Sequence, residues 1–407
     1  MLKKMDKCLV ICTFILLVIG LVMIFSASNV TSYMKYLKSP YYYFLKQSIF
    51  FVISLILSFF ILKIDTKKYH YISFPLIIII ITLLVIVLFN GKVSNQARSW
   101  FSIFGIFTVQ PSEFAKIFTI MWFASYYSIN KNCLDVKKVI FPLIISVGIA
   151  FLIALQPDLG TTLLYCGLVF FMFLSLPISK KIKRNSIIVL IAIICIGLLL
   201  LLNNGVKLVF ERQIQRFNFL NPCERIYSDG NQVCNGYIAI NNGGLFGKGL
   251  GNSTQKYLYL PEAYTDFIFA IVVEELGLII SVVILLLMFL VLWRIFIIAK
   301  KSTTTRGMLL CYGVFFYILL HIIINLGGLL GLIPLTGVPL PFLSYGGSYL
   351  MCLVSSIAIV LRVDLENKKI KWEYLSKINL NAIIKMKIGE DLWKIKIIEK
   401  YIWLQLF

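Results

Sequence analysis

The chain has 407 residues, of which 60% are hydrophobic and 14% charged, with a formal net charge of +21. A soluble protein of this length could not enclose so much apolar side chain, so the bilayer must serve as its solvent. The basic excess then reads as loops held on the cytoplasmic side. With no basic, aromatic-interleaved soluble domain, it argues against a nucleic-acid ligand.

In chain order, ten apolar segments can be drawn at roughly 8–28, 45–63, 72–90, 113–128, 140–156, 161–178, 186–203, 267–293, 307–328 and 341–361. Each comes close to the length needed to cross about 30 Å of hydrocarbon at about 1.5 Å per residue. The first run is too long for a signal-peptide core and no small-residue cleavage site follows it, so no cleavable leader is expected. Alternate connections carry Lys3/Lys4/Lys7, Lys63/Lys67/Lys68, Lys131/Lys137/Lys138, Lys180/Lys181/Lys183/Arg184 and Arg294/Lys300/Lys301/Arg306. The opposite short loops carry only Lys35, Lys38, Lys92 and Arg98. The positive-inside rule therefore predicts an all-α polytopic membrane protein of about ten spans, with cytoplasmic N- and C-termini.

The connection from about 204 to 266 falls outside under this topology, and a loop of that length is usually functional. Its Asn221-Pro222, Asn235-Gly236 and Gly247-Lys-Gly-Leu-Gly251 groups mark turns, and it is expected to fold back against the bundle. Cys223 and Cys234 both lie in it and can pair if that side is oxidising; the other seven of nine cysteines lie mostly in apolar runs. With two histidines in all, His70 and His321, histidine-based catalysis or zinc binding is not expected. Acid–base chemistry falls to carboxylates. A membrane domain at 1–362 is followed by a lysine- and tryptophan-rich tail, 363–407, suited to lying on an anionic leaflet.

Four polar clusters map to the outer ends of spans. In Gln110-Pro-Ser-Glu-Phe-Ala-Lys116, Pro111 suits a first helical turn, and Glu113 and Lys116 share a face. Lys116 is either the partner of Glu113 or a cation available to a phosphate. Leu155-Gln-Pro-Asp-Leu-Gly160 places Asp158 in a short turn, where an aspartate ordinarily caps. Pro334-Leu-Thr-Gly-Val-Pro-Leu-Pro-Phe-Leu-Ser-Tyr-Gly-Gly-Ser348 implies non-helical backbone at membrane depth, tolerated only against protein or a wet cavity. In the fourth, a glycine-rich loop from Gly249 ends in Thr265-Asp266 where the chain turns apolar. Thr265 is placed to cap the following helix, whose free N–H groups favour an anion at Asp266. Glu274 and Glu275 follow about 12–14 Å deeper if the segment is helical, with Glu274 near the Asp266 face.

Taken in order, these segments, with Asp6 and Gly20-Leu-Val-Met-Ile-Phe-Ser-Ala-Ser28, resemble the SEDS family (shape, elongation, division and sporulation) as far as Arg362. The run Gln255-Lys-Tyr-Leu-Tyr-Leu-Pro-Glu-Ala263 is similar to its division branch, FtsW, more than to its RodA branch. The resemblance implies a peptidoglycan glycosyltransferase that polymerises lipid II outside the membrane, with Asp266 as its catalytic carboxylate. It further implies substrate-binding roles for Lys116, Arg98, Glu113, Asp158, Gln255, Lys256, Glu262 and Ser344, and support from Glu274 and Glu275. A divalent cation, Mg2+ or Mn2+, is compatible with a diphosphate leaving group. The implied partners are a class B penicillin-binding transpeptidase and other divisome membrane proteins. An elongation-type polymerase, a lipid II flippase and a division scaffold are the competing readings. Two departures stand out: Tyr264 replaces the family's usual histidine before Thr-Asp, and Asn95-Gln-Ala-Arg-Ser-Trp100 displaces the expected arginine by one position, to Arg98.

Overall fold

The structure, a computed structural model, describes residues 5–94, 97–103, 107–130, 135–189, 221–225 and 230–387. Helices α1 (Lys7–Met34), α2 (Tyr42–Lys63) and α3 (Tyr69–Asn90) lead into short strands β1 (Lys92–Ser94), β2 (Ala97–Ile103) and β3 (Phe107–Val109). Then follow α4 (Pro111–Asn130), α5 (Val136–Ala154), α6 (Leu159–Leu174) and a helical stretch at 180–189. The last four helices are α7 (Asn231–Gly243), α8 (Ile268–Lys300), α9 (Thr305–Leu329) and α10 (Gly347–Lys387).

Among the described residues, seven helices (α1–α3, α5 and α8–α10) are long and apolar enough to cross a membrane, and the protein is a multi-pass membrane protein. Nine of the ten expected spans coincide with helices; of the other, 186–203, residues from 190 onward lie outside the described residues. The small antiparallel sheet joining α3 to α4 departs from an all-helical reading. It pairs Ser94 with Ala97 and Phe101 with Val109, and the Ala97–Ile103 run has the β-branched and aromatic content of a strand.

Apolar side chains cover these helices all round, because lipid and neighbouring helices are equally acceptable to them. Position in the bundle therefore shows in burial. Most residues of α10 between Gly347 and Asp364 are buried, whereas α2 buries only Gln47, Phe50 and Ser54 and turns Phe59, Phe60 and Ile56 outward. α10 packs on α2; α9 packs on α4, α6 and α8; α8 also packs on α1 and α7. At the opposite end from the sheet, Asp6 caps α1 through the Leu9 N–H (2.9 Å) and pairs with Arg294 of α8. Arg362 pairs there with Asp65 and with Glu366 (3.0 Å). The boundary expected at 362 falls inside α10, which runs unbroken to Lys387; the tail from 388 lies outside the described residues.

The long loop before α8 contains α7, a helix where only turns were expected, tied to the preceding turn by a Cys223–Cys234 disulfide. Beyond α7 the loop folds back onto α8. At Gly277 the helix is interrupted at φ 82°, a conformation that costs an L side chain dearly. There the N–H groups of Lys248 and Gly249 donate to Glu274 O and Glu275 O, both at 2.9 Å, and Leu278 N–H donates to Gly244 O at 3.0 Å. The loop thus satisfies the backbone groups that the break exposes.

Candidate active site

The sequence between α9 and α10, residues 331–346, contains three prolines and cannot continue either helix. It forms a strap whose carbonyls and N–H groups are met by side chains. Asn325 of α9 donates to Val338 O, and His321 Nδ1 lies 3.1 Å from Pro339 O. Leu340 N–H donates to Ser344 Oγ (2.8 Å), Gly346 N–H to Gln47 Oε1 (3.2 Å), and Tyr345 N–H to Tyr264 O (3.0 Å). On the other flank Gly160 abuts Thr336: a Cβ there would come within 2.4 Å of the Thr336 carbonyl oxygen.

Asp266 lies in the turn just before α8, and its backbone carbonyl accepts from the same Asn325 amide that holds Val338 (2.8 Å to each). Its half-buried carboxylate lines a shallow cleft with Ile324, Asn325, Thr336 and Gly337. Gly337 adopts φ 72°, and a Cβ on it would sit 3.3 Å from Asp266 Oδ2. Among the described residues no hydrogen bond or ion pair reaches this carboxylate. Burial, reinforced by the negative charges of Glu262 and Asp158, pushes it up to about 7 from an ordinary 3.8. A carboxylate poised at that value can accept a proton at neutral pH.

The helix-capping role expected of Thr265 is not observed. α8 starts at Ile268 after Phe267, with no side-chain cap, and the Thr265 hydroxyl bonds back to Glu262 O and Oε2, both at 3.1 Å. That turn brings Glu262 toward Asp266. Asp158 caps α6 through Thr161 N–H (3.1 Å), and its other oxygen accepts from Gln110 Nε2 (3.0 Å). Gln110 in turn donates its backbone N–H to Ser348 Oγ (3.1 Å), so the start of α4 is tied to the start of α10.

Among the remaining expected residues whose side chains are described, none lines the cleft itself. Lys116 is fully buried, 2.7 Å from Glu113 Oε1 and 3.2 Å from His321 Nε2, with its ammonium over the Tyr317 ring. Of the two readings open for Lys116, this is the ion pair; to meet a phosphate it would have to leave both partners. Lys256 is likewise enclosed, donating to Glu275 Oε1 (3.0 Å), Gly251 O (2.6 Å) and Ser26 Oγ (3.3 Å). Gln255 is buried and gives its N–H to Glu274, while Ser344 closes the strap's turn. Arg98 lies on β2, and its side chain is outside the described residues.

Glu274 does not point toward Asp266. It accepts from Ser253 Oγ, Thr254 N and Oγ1, Gln255 N and Lys248 Nζ, whereas Glu275 accepts from Ser26 and Lys256. Both staple the loop to α8. Sequence reasoning passed over Asn325 and set His321 aside. The available signal was their four-residue spacing, which puts two polar groups on one face of an otherwise apolar span.

Comparison with known proteins places this geometry in context. Residues 6–369 match the family model FtsW/RodA/SpoVE, described as cell cycle protein. The chain is 37% identical over 382 residues to the probable peptidoglycan glycosyltransferase FtsW of Bacillus subtilis (strain 168), covering 91% of this chain and 94% of that one. It is 39% identical to stage V sporulation protein E of the same organism, over 88% and 96% of the two chains. Among solved structures, a chain from a peptidoglycan synthase complex that coordinates polymerization and crosslinking superposes with a TM-score of 0.69 at 24% identity, covering 89% of this chain and 98% of that one. The rod shape determining protein RodA of Thermus thermophilus superposes with a TM-score of 0.62 at 23% identity, covering 89% and 97%. The structural likenesses establish a shared fold.

Proposed function

The chain belongs to the FtsW/RodA/SpoVE family of cell cycle proteins, and on that premise we propose that it is a peptidoglycan glycosyltransferase polymerising lipid II at the outer face of the membrane. The observation that carries the chemistry is the Asp266 carboxylate, unpartnered among the described residues, raised to about 7 and lining a cleft beside the strap. The acceptor sugar's 4-hydroxyl attacks the anomeric carbon of the lipid-linked donor. The new C–O bond forms as the bond to the diphosphate oxygen breaks, with inversion at that carbon. The hydroxyl proton passes to Asp266, and undecaprenyl diphosphate leaves with the electron pair. A sugar hydroxyl is a weak nucleophile until a positioned base takes its proton, which sets the size of the expected contribution at about 10²–10⁴-fold.

Among the described residues no three His, Cys, Asp or Glu side chains stand together to hold a metal ion. One or two carboxylates together with a substrate diphosphate would be the ordinary way to hold Mg2+, and no step is assigned to such an ion. The septal role rests on the FtsW-named relatives. We assign a class B penicillin-binding transpeptidase as partner, supported by the fold shared with the synthase complex that joins polymerisation to crosslinking.

The test is polymerisation of labelled lipid II by the purified protein with its cognate transpeptidase. Glycan ladders from the wild type and none from folded Asp266→Asn are expected. Equal ladders from both would remove Asp266 from the mechanism, and silence from both intact complexes would favour transport or scaffolding.

A further inference from the structure

His321 and Asn325 stand one turn apart on the same face of α9, and between them they hold two consecutive carbonyls of the strap, Val338 O and Pro339 O. Asn325 also holds the carbonyl of Asp266. Base and cleft wall are therefore hung from one helix face. The His321 ring can hold its part only in one tautomer. A lysine ammonium donates and never accepts, so Lys116 at 3.2 Å makes Nε2 the acceptor. The ring proton is then on Nδ1, where it donates to Pro339 O. Lys116 also pairs with Glu113 at 2.7 Å.

We propose that His321 and Asn325 are positioning residues that fix the strap as the wall of the Asp266 cleft, and that Lys116 serves the reaction through the His321 ring. This rests on the polymerase reading above. A polar chain thus runs from Glu113 through Lys116 and His321 to the strap beside Gly337, whose backbone faces Asp266. Loosening the strap admits water to Asp266 and weakens the burial that holds its proton affinity up, with Glu262 and Asp158 the charged groups still facing it.

The test uses the full-length protein with its transpeptidase partner and two replacements of opposite geometry. Asparagine at 321 carries its N–H where the Nδ1–H stood, so His321→Asn keeps the strap contact without any help from Lys116. Glutamine reaches instead toward the Nε2 position and loses it. His321→Gln is expected to lower kcat/KM by about 10- to 100-fold through kcat and to move the acidic limb of the pH profile to lower pH, while His321→Asn stays near wild type. Glu113→Gln/Lys116→Met, which removes both buried charges together, should cost several-fold in the wild-type background and almost nothing in His321→Asn. An equal cost in both backgrounds would mean that Lys116 acts directly on substrate and would overturn the inference. So would a His321→Gln enzyme with unaltered kcat and pH profile. If His321→Gln does not fold, the cycle built on His321→Asn decides alone. A wild type that makes no glycan would strike at the polymerase reading, whereas a wild type that polymerises with an additive cycle would strike only at this one.

Discussion

Glu274 and Glu275 collect hydrogen bonds from Ser26, Ser253, Thr254, Gln255 and two lysines, whereas Asp266, just before the same helix, collects none on its carboxylate among the described residues. The glutamates face a loop that wraps them in donors; the aspartate faces a cleft and two like charges, Glu262 and Asp158. The difference separates structural anion from reactive one. A carboxylate whose lone pairs are filled stabilises the fold, while one left open at raised proton affinity retains capacity for proton transfer.

The largest effect should come from the reactive side. Asp266→Asn is expected to lower polymerisation by about 10²–10⁴-fold with thermal unfolding unchanged or higher, read from glycan ladders and melting curves on one preparation. Were the melting temperature to collapse instead, Asp266 would belong with the glutamates. On the structural side, Glu275→Ala strands the Lys256 ammonium and should destabilise the protein by about 3–5 kcal/mol, whereas Glu275→Gln/Lys256→Met should recover much of that loss. Intact stability in Glu275→Ala would break the comparison from its other end.

The Cys223–Cys234 bond spans a sequence separation of 11, so replacing both with serine should cost the loop about 3 kcal/mol, seen as faster proteolysis around α7 with α8 still protected. The smallest expected change refines the electrostatics. Asp266 must be ionised to act as a base, so kcat/KM should rise with pH through about 7 and then level off. Removing a neighbouring negative charge makes ionisation easier; Glu262→Gln should shift that rise to lower pH by up to about one unit, increasing activity at pH 6 and leaving it nearly unchanged at pH 8. A shift to higher pH would contradict the assigned cause.

Much of this was readable from the residues alone. Apolar run lengths marked nine helices, though α8 runs on to Lys300 and α10 to Lys387, because a span must satisfy its backbone internally and show lipid an apolar surface. The prolines of 334–341 marked a non-helical strap, and Asp266 at the start of an apolar run marked the candidate site. The residues given substrate roles by likeness of motif fared differently. Lys256 and Ser344 have motif neighbours suggestive of a binding loop, yet their side chains close internal contacts with Glu275 and Leu340. Motif membership does not distinguish a side chain that touches ligand from one that shapes the loop holding it.

Composition and hydropathy determined the solvent of this chain, its helices and the side on which its polar clusters gather, since those follow from transfer energies summed along the sequence. Which carboxylate is left open was decided only in three dimensions. Ser26 and Glu275, Gln110 and Asp158, and Asn325 and Asp266 are separated by 249, 48 and 59 positions. No local pattern encodes such pairings, and it is they that fill the acceptors of Glu275 while leaving the carboxylate of Asp266 without a partner among the described residues.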